Sequence, residues 1–107
     1  MKIGIGCDPA GFTLKQYILE KYADSYSIED KGCFSLEPAD YTTYAEAVAI
    51  GVASGEFERG ILICGTGHGM TIAANRYKGI RAVHCSSALS AVMSREHNDS
   101  NILCFGG

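Results

Sequence analysis

Between Arg59 and Arg76 the chain reads Arg-Gly-Ile-Leu-Ile-Cys-Gly-Thr-Gly-His-Gly-Met-Thr-Ile-Ala-Ala-Asn-Arg, and this stretch restricts the possible folds more than any other. Ile61-Leu62-Ile63 is uncharged and rich in β-branched residues, as suits a strand buried on both faces. Cys64 and the loop Gly65-Thr66-Gly67-His68-Gly69 follow. Met70, Ile72, Ala73 and Ala74 then read as a helix. A strand that breaks into glycines and opens a helix is a natural anion site. Glycine allows a tight turn with N–H groups facing inward, and a helix start adds partial positive charge. Cys64 stands where strand meets loop, a context that favours a thiolate and so a base or nucleophile. The plain alternative is a loop that only turns the chain. The spacing matches neither the Walker phosphate loop nor the dinucleotide fingerprint G-x-G-x-x-G.

The remaining segments repeat the same alternation of strand and helix. Lys2 to Cys7 reads as a strand, and Asp8-Pro9-Ala10-Gly11 leads into a helix ending near Tyr22, with Leu14, Tyr17, Ile18 and Tyr22 at helical spacing. Tyr26 to Asp30 is a second strand and Lys31 to Asp40 a loop. Tyr41 to Ser54 is a helix with Tyr44, Ala45, Val48 and Val52 on one face. Arg81 to Cys85 is a fourth strand. Ser86 is a candidate N-cap for a helix through Met93, in which Leu89, Val92 and Met93 share a face. A polar stretch from Ser94 to Ser100 precedes a fifth strand, Asn101 to Phe105. Connections too long for hairpins predict a single α/β domain over residues 1–107. Its expected form is a doubly wound, Rossmann-like three-layer αβα sandwich with a five-stranded parallel sheet.

Charge and cysteine content narrow the partners. A net charge of −3 argues against nucleic acid or an acidic membrane surface. No apolar run reaches the roughly 20 residues that span a bilayer, and Met1 to Gly6 reads as a strand and not as a signal peptide. A cytoplasmic location is the resulting expectation. Five cysteines, an odd number without a C-x-x-C pair, argue against a disulfide framework or a structural zinc site. Apart from Cys64 they read as packing residues.

Four further residues bear on a site. Asp8 follows the first strand at the sheet edge where ligands of open α/β sheets bind, and it is equally suited to cap the next helix. Tyr41 fits core packing or a hydroxyl reaching the site. His84, within an apolar strand, reads as a core histidine. His97, among polar residues, is the better candidate for proton transfer.

Several separate stretches together resemble the type B ribose-5-phosphate isomerases, a superfamily that also holds allose- and galactose-6-phosphate isomerases. They are Ile-Gly-Cys-Asp-Pro-Ala-Gly-Phe near the start, Asp40-Tyr41, the whole of Arg59 to Arg76, Gly79-Ile80-Arg81-Ala82, and Ser94-Arg95-Glu96-His97-Asn98-Asp99. The resemblance covers the full chain. It implies a metal-free and cofactor-free aldose–ketose isomerase of the pentose phosphate pathway, with ribose 5-phosphate and ribulose 5-phosphate interconverted through an enediolate. Cys64 is then the base at C2, assisted by Thr66. The amides of Gly65, Gly67, His68 and Gly69 stabilise the enediolate oxygen. His97 opens the ring, and Asp8, Tyr41 and Asn98 contact sugar oxygens. The family builds its site between two subunits, so a homodimer is implied, with a tetramer as the next candidate.

The chain departs from the family pattern at three places. Pro9 stands where the family has a histidine associated with the phosphate end of the substrate. His68 stands where the family has an apolar residue, and at the same sheet edge it is a candidate replacement. Family members also continue beyond the position of Gly107 with an arginine, a C-terminal helix and further arginines that bind phosphate and build the dimer. Without that tail, an apolar surface is expected to be exposed. These departures keep two alternatives open: a homologue that binds sugar phosphate without catalysis, and an isomerase of allose or galactose 6-phosphate.

Overall fold

The computed structural model describes all residues from Met1 to Gly107. Five parallel strands form one sheet: β1 (Lys2–Cys7), β2 (Ser27–Asp30), β3 (Arg59–Cys64), β4 (Ala82–His84) and β5 (Ile102–Gly106), in the order β2-β1-β3-β5-β4. Four α-helices connect them: α1 (Phe12–Tyr22), α2 (Tyr41–Ala53), α3 (His68–Ala74) and α4 (Ala88–Asn98). The sandwich expected from the alternation is the one formed.

The strand order decides which helix covers which face. Crossovers between parallel strands are right-handed, so a step to one side carries its helix above the sheet and a step back carries it below. The chain steps one way from β1 to β2 and from β4 to β5, which puts α1 and α4 together. It steps the other way toward β3 and toward β4, which puts α2 and α3 on the opposite face. There the main core forms, with Ala45, Val48, Met70 and Ala74 packed on Leu62, Ile102 and Cys104, all sealed from solvent. Burying each of Val48, Met70, Leu62 and Ile102 contributes about 1.5–3 kcal/mol. The apolar face expected on α2 is the face used, and on α3 Met70, Ala73 and Ala74 are buried while Ile72 is 63% exposed.

The other face is only partly covered. Ile5, Cys7, Cys33 and Ile63 form a small core under α1. Between α1 and α4 the sheet lies open as an apolar groove of about 750 Å³, lined by Ile3, Ile18, Ile61, Val92 and Leu103 among others. Lys15 is fully buried at the end of α1 that meets the sheet edge. Its Nζ donates to both carboxylate oxygens of Asp30 at 2.7 Å and to the Cys33 carbonyl at 2.6 Å. A buried ammonium is tolerable because all its protons are used.

Two expected boundaries move. The helix expected from Ser86 to Met93 is capped by Ser87, whose side chain accepts from Ser90 N, and it runs on to Asn98. The polar residues Ser94 to Asn98 are thus the last turns of α4. The run looked like a loop because only Ser94 among them is buried, so no apolar periodicity marks the helix. Leu89, Val92 and Met93 do share a face, but it is exposed.

Candidate active site

The site grows from the point where the winding of the sheet reverses. Between β1 and β3 the crossovers leave in opposite directions, which opens a crevice outside the carboxyl ends of both strands. Asp8 and Cys64 stand at those two ends, and the Asp8 N–H donates to the Ile63 carbonyl at 3.1 Å. The Asp8 carboxylate accepts from Gly11 N at 2.9 Å and caps the short 3₁₀ turn of Pro9 to Gly11. The capping reading of Asp8 is therefore realised, with the residue still at the crevice.

Cys64 is 6% exposed and belongs to the main core cluster, at its border with the loop. The Gly67 N–H donates to Cys64 Sγ at 3.1 Å, holding the thiol toward the loop. Gly67 makes this possible with φ of 89°, a left-handed conformation that glycine adopts without strain. The amides of Gly65 and Thr66 have no acceptor within the chain. The Thr66 hydroxyl accepts from His68 N at 3.2 Å, so its own proton is left for a ligand. Helix α3 begins at His68, earlier than the apolar pattern at Met70 indicated, and ends at Ala74. So short a helix adds little dipole, and the anion-binding capacity of the loop rests on its amides.

The surroundings close on this loop from three sides. Tyr41, the first residue of α2, lays its ring over Gly69: a β-carbon added at Gly69 would lie 3.2 Å from Tyr41 Cε2. From the end of β5 the Gly107 N–H donates to the Cys64 carbonyl at 2.8 Å. On the β4 side His84 stacks on His68, with ring centroids 4.5 Å apart and planes 36° apart.

His84 corrects the sequence reading. It is exposed at the end of the three-residue edge strand β4 and belongs to no core. An apolar run suggested burial, but an edge strand this short leaves its last side chain beyond the covering helices. The other thiols fit the packing reading, since all five cysteines are free and buried. Burial pushes Cys104 and Cys7 up to about 12, Cys7 further through its contact with Cys33.

One edge of the chain thus gathers Asp8, Tyr41, Cys64, Gly65, Thr66, Gly67, His68 and Gly69. His97 and Asn98 are not among them. Both lie in the last turn of α4, which runs back to the edge where strands begin. There the Asn98 carbonyl accepts from Arg81 Nε at 2.6 Å. The length of the strands separates them from Cys64 within one chain.

Comparison with known proteins agrees with this architecture. The family model described as Ribose/Galactose Isomerase matches residues 3–107. The chain is 53% identical to ribose-5-phosphate isomerase B of Escherichia coli (strain K12) over 106 residues, covering 98% of this chain and 71% of that protein. It is 44% identical over 110 residues to 4-deoxy-4-sulfo-D-erythrose isomerase of Clostridium sp. (strain MSTE9), covering 100% of this chain and 69% of that protein. Among solved structures, ribose-5-phosphate isomerase B of Clostridium thermocellum superposes with a TM-score of 0.97 at 50% identity, covering 99% of this chain and 72% of that one. With the loop and fold matched along nearly its whole length, the chain belongs to the ribose/galactose isomerase family.

Proposed function

We propose that this protein is an aldose–ketose isomerase that interconverts ribose 5-phosphate and ribulose 5-phosphate. The observation that carries the reading is the Cys64 sulfur held at the crevice by the Gly67 amide at 3.1 Å, beside two amides without acceptors. The deprotonated sulfur removes the proton at C2 of the open-chain aldose. The electron pair forms the C1–C2 double bond, and charge develops on O1. The Gly65 and Thr66 amides supply preorganised donors for that charge, the arrangement that contributes most to such reactions. The Thr66 hydroxyl moves the proton between O2 and O1. Return of the sulfur-borne proton to C1 completes the ketose. Asp8 and Tyr41 hold sugar hydroxyls at the same edge.

Ring opening needs a further acid/base, and we assign it to His97 with Asn98 as its neighbour on the sugar. Their distance from Cys64 within one chain favours a site shared by two copies, with α4 of one meeting the loop of the other. The exposed Leu89, Val92 and Met93 on α4 suit such a homodimer. A cytoplasmic enzyme fits this reading, and no helix is long and apolar enough to cross a membrane.

Incubation with ribose 5-phosphate, with ribulose 5-phosphate measured directly, tests the proposal. Turnover is expected in the wild type and its loss, by at least about a thousandfold, in Cys64→Ala. Full activity in that variant would remove Cys64 from the mechanism. Because the relatives' names differ in sugar length and anionic group, allose 6-phosphate and galactose 6-phosphate belong in the same assay. A higher kcat/KM for either would move the assignment to that hexose.

A further inference from the structure

The small core under α1 holds two of the five free cysteines, and they touch. Cys7 Sγ and Cys33 Sγ lie 3.6 Å apart in a thiol–thiol hydrogen bond. Their backbones run side by side: the Cys33 N–H donates to the Cys7 carbonyl at 3.0 Å, and the Cys7 N–H donates to the Gly32 carbonyl at 2.6 Å. Lys15 Nζ donates to the Cys33 carbonyl at 2.6 Å, and the Gly32 N–H donates to Asp30 Oδ1 at 2.9 Å. The residue that carries the second sulfur is thus held on both sides. Adjacent, hydrogen-bonded backbones give the spacing that a disulfide spans, and the sulfurs have only to close to about 2 Å.

Neither thiol serves the proton transfer assigned to Cys64. Cys64 and Cys104 belong to the main core and Cys7 and Cys33 to the small core on the other face, so the sheet stands between the two groups. The members of the pair differ in cover. Cys7 is sealed within β1, whereas Cys33 is followed by Phe34 to Asp40, all exposed. That loop is weakly bonded: Cys33 Sγ donates to the Ser35 carbonyl at 3.4 Å, and the Glu37 N–H donates to the Ser35 hydroxyl at 3.3 Å. Local opening of such a loop bares Cys33 while Cys7 stays in the sheet.

We infer that Cys7 and Cys33 form a redox-sensitive clasp between the end of β1 and the loop after β2, closed as a disulfide by a peroxide and reopened by a small thiol. Burial, and then contact with Cys33, pushes the Cys7 thiol up to about 12, so Cys33 is the sulfur that meets the oxidant. It attacks one oxygen of hydrogen peroxide, the O–O bond breaks, and hydroxide leaves with the thiol proton as water. Cys7 Sγ then attacks the sulfur of the resulting sulfenic acid. The S–O bond breaks, and a second hydroxide takes the Cys7 proton as water. The pair has lost two electrons and the peroxide has gained them. Exchange with an external thiol returns both thiols. In a reducing compartment the clasp rests open. Closed, it makes a covalent ring of residues 7–33, which carries Asp8 and all of α1.

Peptide mapping of the full chain tests this. Native wild type is treated with hydrogen peroxide, quenched with catalase, denatured in N-ethylmaleimide and digested with trypsin without reduction. Each cysteine falls in its own tryptic peptide, so a linked pair identifies its partners. The expected product joins residues 3–15 to residues 32–59, is lighter than their sum by two hydrogens, and disappears with dithiothreitol. On the same treatment the Tm of wild type should gain about 10 °C relative to Cys33→Ser. Maleimide on both Cys7 and Cys33 once Cys64 is oxidised, either sulfur linked mainly to another cysteine, or no relative gain in Tm overturns the inference. If Cys33→Ser does not fold, the wild-type map decides alone. None of these readouts depends on turnover.

Discussion

Two glycines in the same loop, Gly65 and Gly67, should respond oppositely to alanine. At Gly67 the backbone φ is 89°, where an L side chain costs roughly 1–2 kcal/mol. The new β-carbon would also lie 2.6 Å from His84 Cδ2, 2.9 Å from Phe105 Cα and 3.0 Å from the Phe105 carbonyl carbon. The imidazole can swing aside, but the β5 backbone is held in the sheet. Forcing a methyl into such a space costs about 1–3 kcal/mol. The sum is about 2–5 kcal/mol, equivalent to a fall in Tm of roughly 10–25 °C for a domain of this size. If the loop rotates to relieve the clash, the Gly67 N–H leaves the Cys64 sulfur, and kcat falls instead of Tm. At Gly65 a β-carbon would meet only Ala10 Cβ, at an ordinary 3.8 Å. Gly65→Ala should stay within about 0.5 kcal/mol of wild type. Thermal melts by circular dichroism and ribose 5-phosphate kinetics, run on both variants, form the assay. A Gly67→Ala protein with Tm within 2 °C, taken here as about the error of the melt, and kcat within about twofold would refute the loop geometry argued above.

The remaining predictions concern charges and assembly. Asp30→Ala strands the buried Lys15 ammonium and should cost about 3–5 kcal/mol in urea unfolding, whereas Lys15→Met should lie within about 1.5 kcal/mol of wild type; the reverse order would show that Lys15 is not buried as described. Cys64→Ala and His97→Ala, each inactive alone, should regain up to about a quarter of wild-type activity when unfolded and refolded together, since half of a random mixture is heterodimer with one intact site of two; no recovery would place both residues in sites within single chains. Asp40 caps α2 by accepting from Thr42 N at 3.0 Å and from the Thr42 hydroxyl. These bonds hold its carboxyl below the usual 3.8, the backbone contact first. A lowered folded value means that the stabilisation is complete above the unfolded value and is lost as pH falls through the folded one. Stability of wild type and Asp40→Ala, followed by urea titration from pH 6 to pH 2, should therefore converge at the acid end, and a constant gap would contradict the cap.

How far the chain could be read in advance depended on the range of the signal. Ile61-Leu62-Ile63, the glycine loop and the α2 face of Ala45 and Val48 were legible because a strand, a turn and a helix each impose a short period on neighbouring residues. For the same reason the sequence alone singled out Cys64 as the sulfur at a strand end beside flexible backbone. The length of α4 escaped because its last turns bury almost nothing, and periodicity exists only where one face is hidden. His84 was misread because its burial depends on whether its strand is central or at an edge, and nothing within the strand encodes that. Tertiary structure decided the order β2-β1-β3-β5-β4, and with it which strand ends share a crevice. That order brings Asp8, Tyr41 and His84 to the Cys64 loop and sends His97 to the far edge. Such choices belong to the packing of distant segments, in which each layer's position depends on all the others, so no local stretch of sequence specifies them.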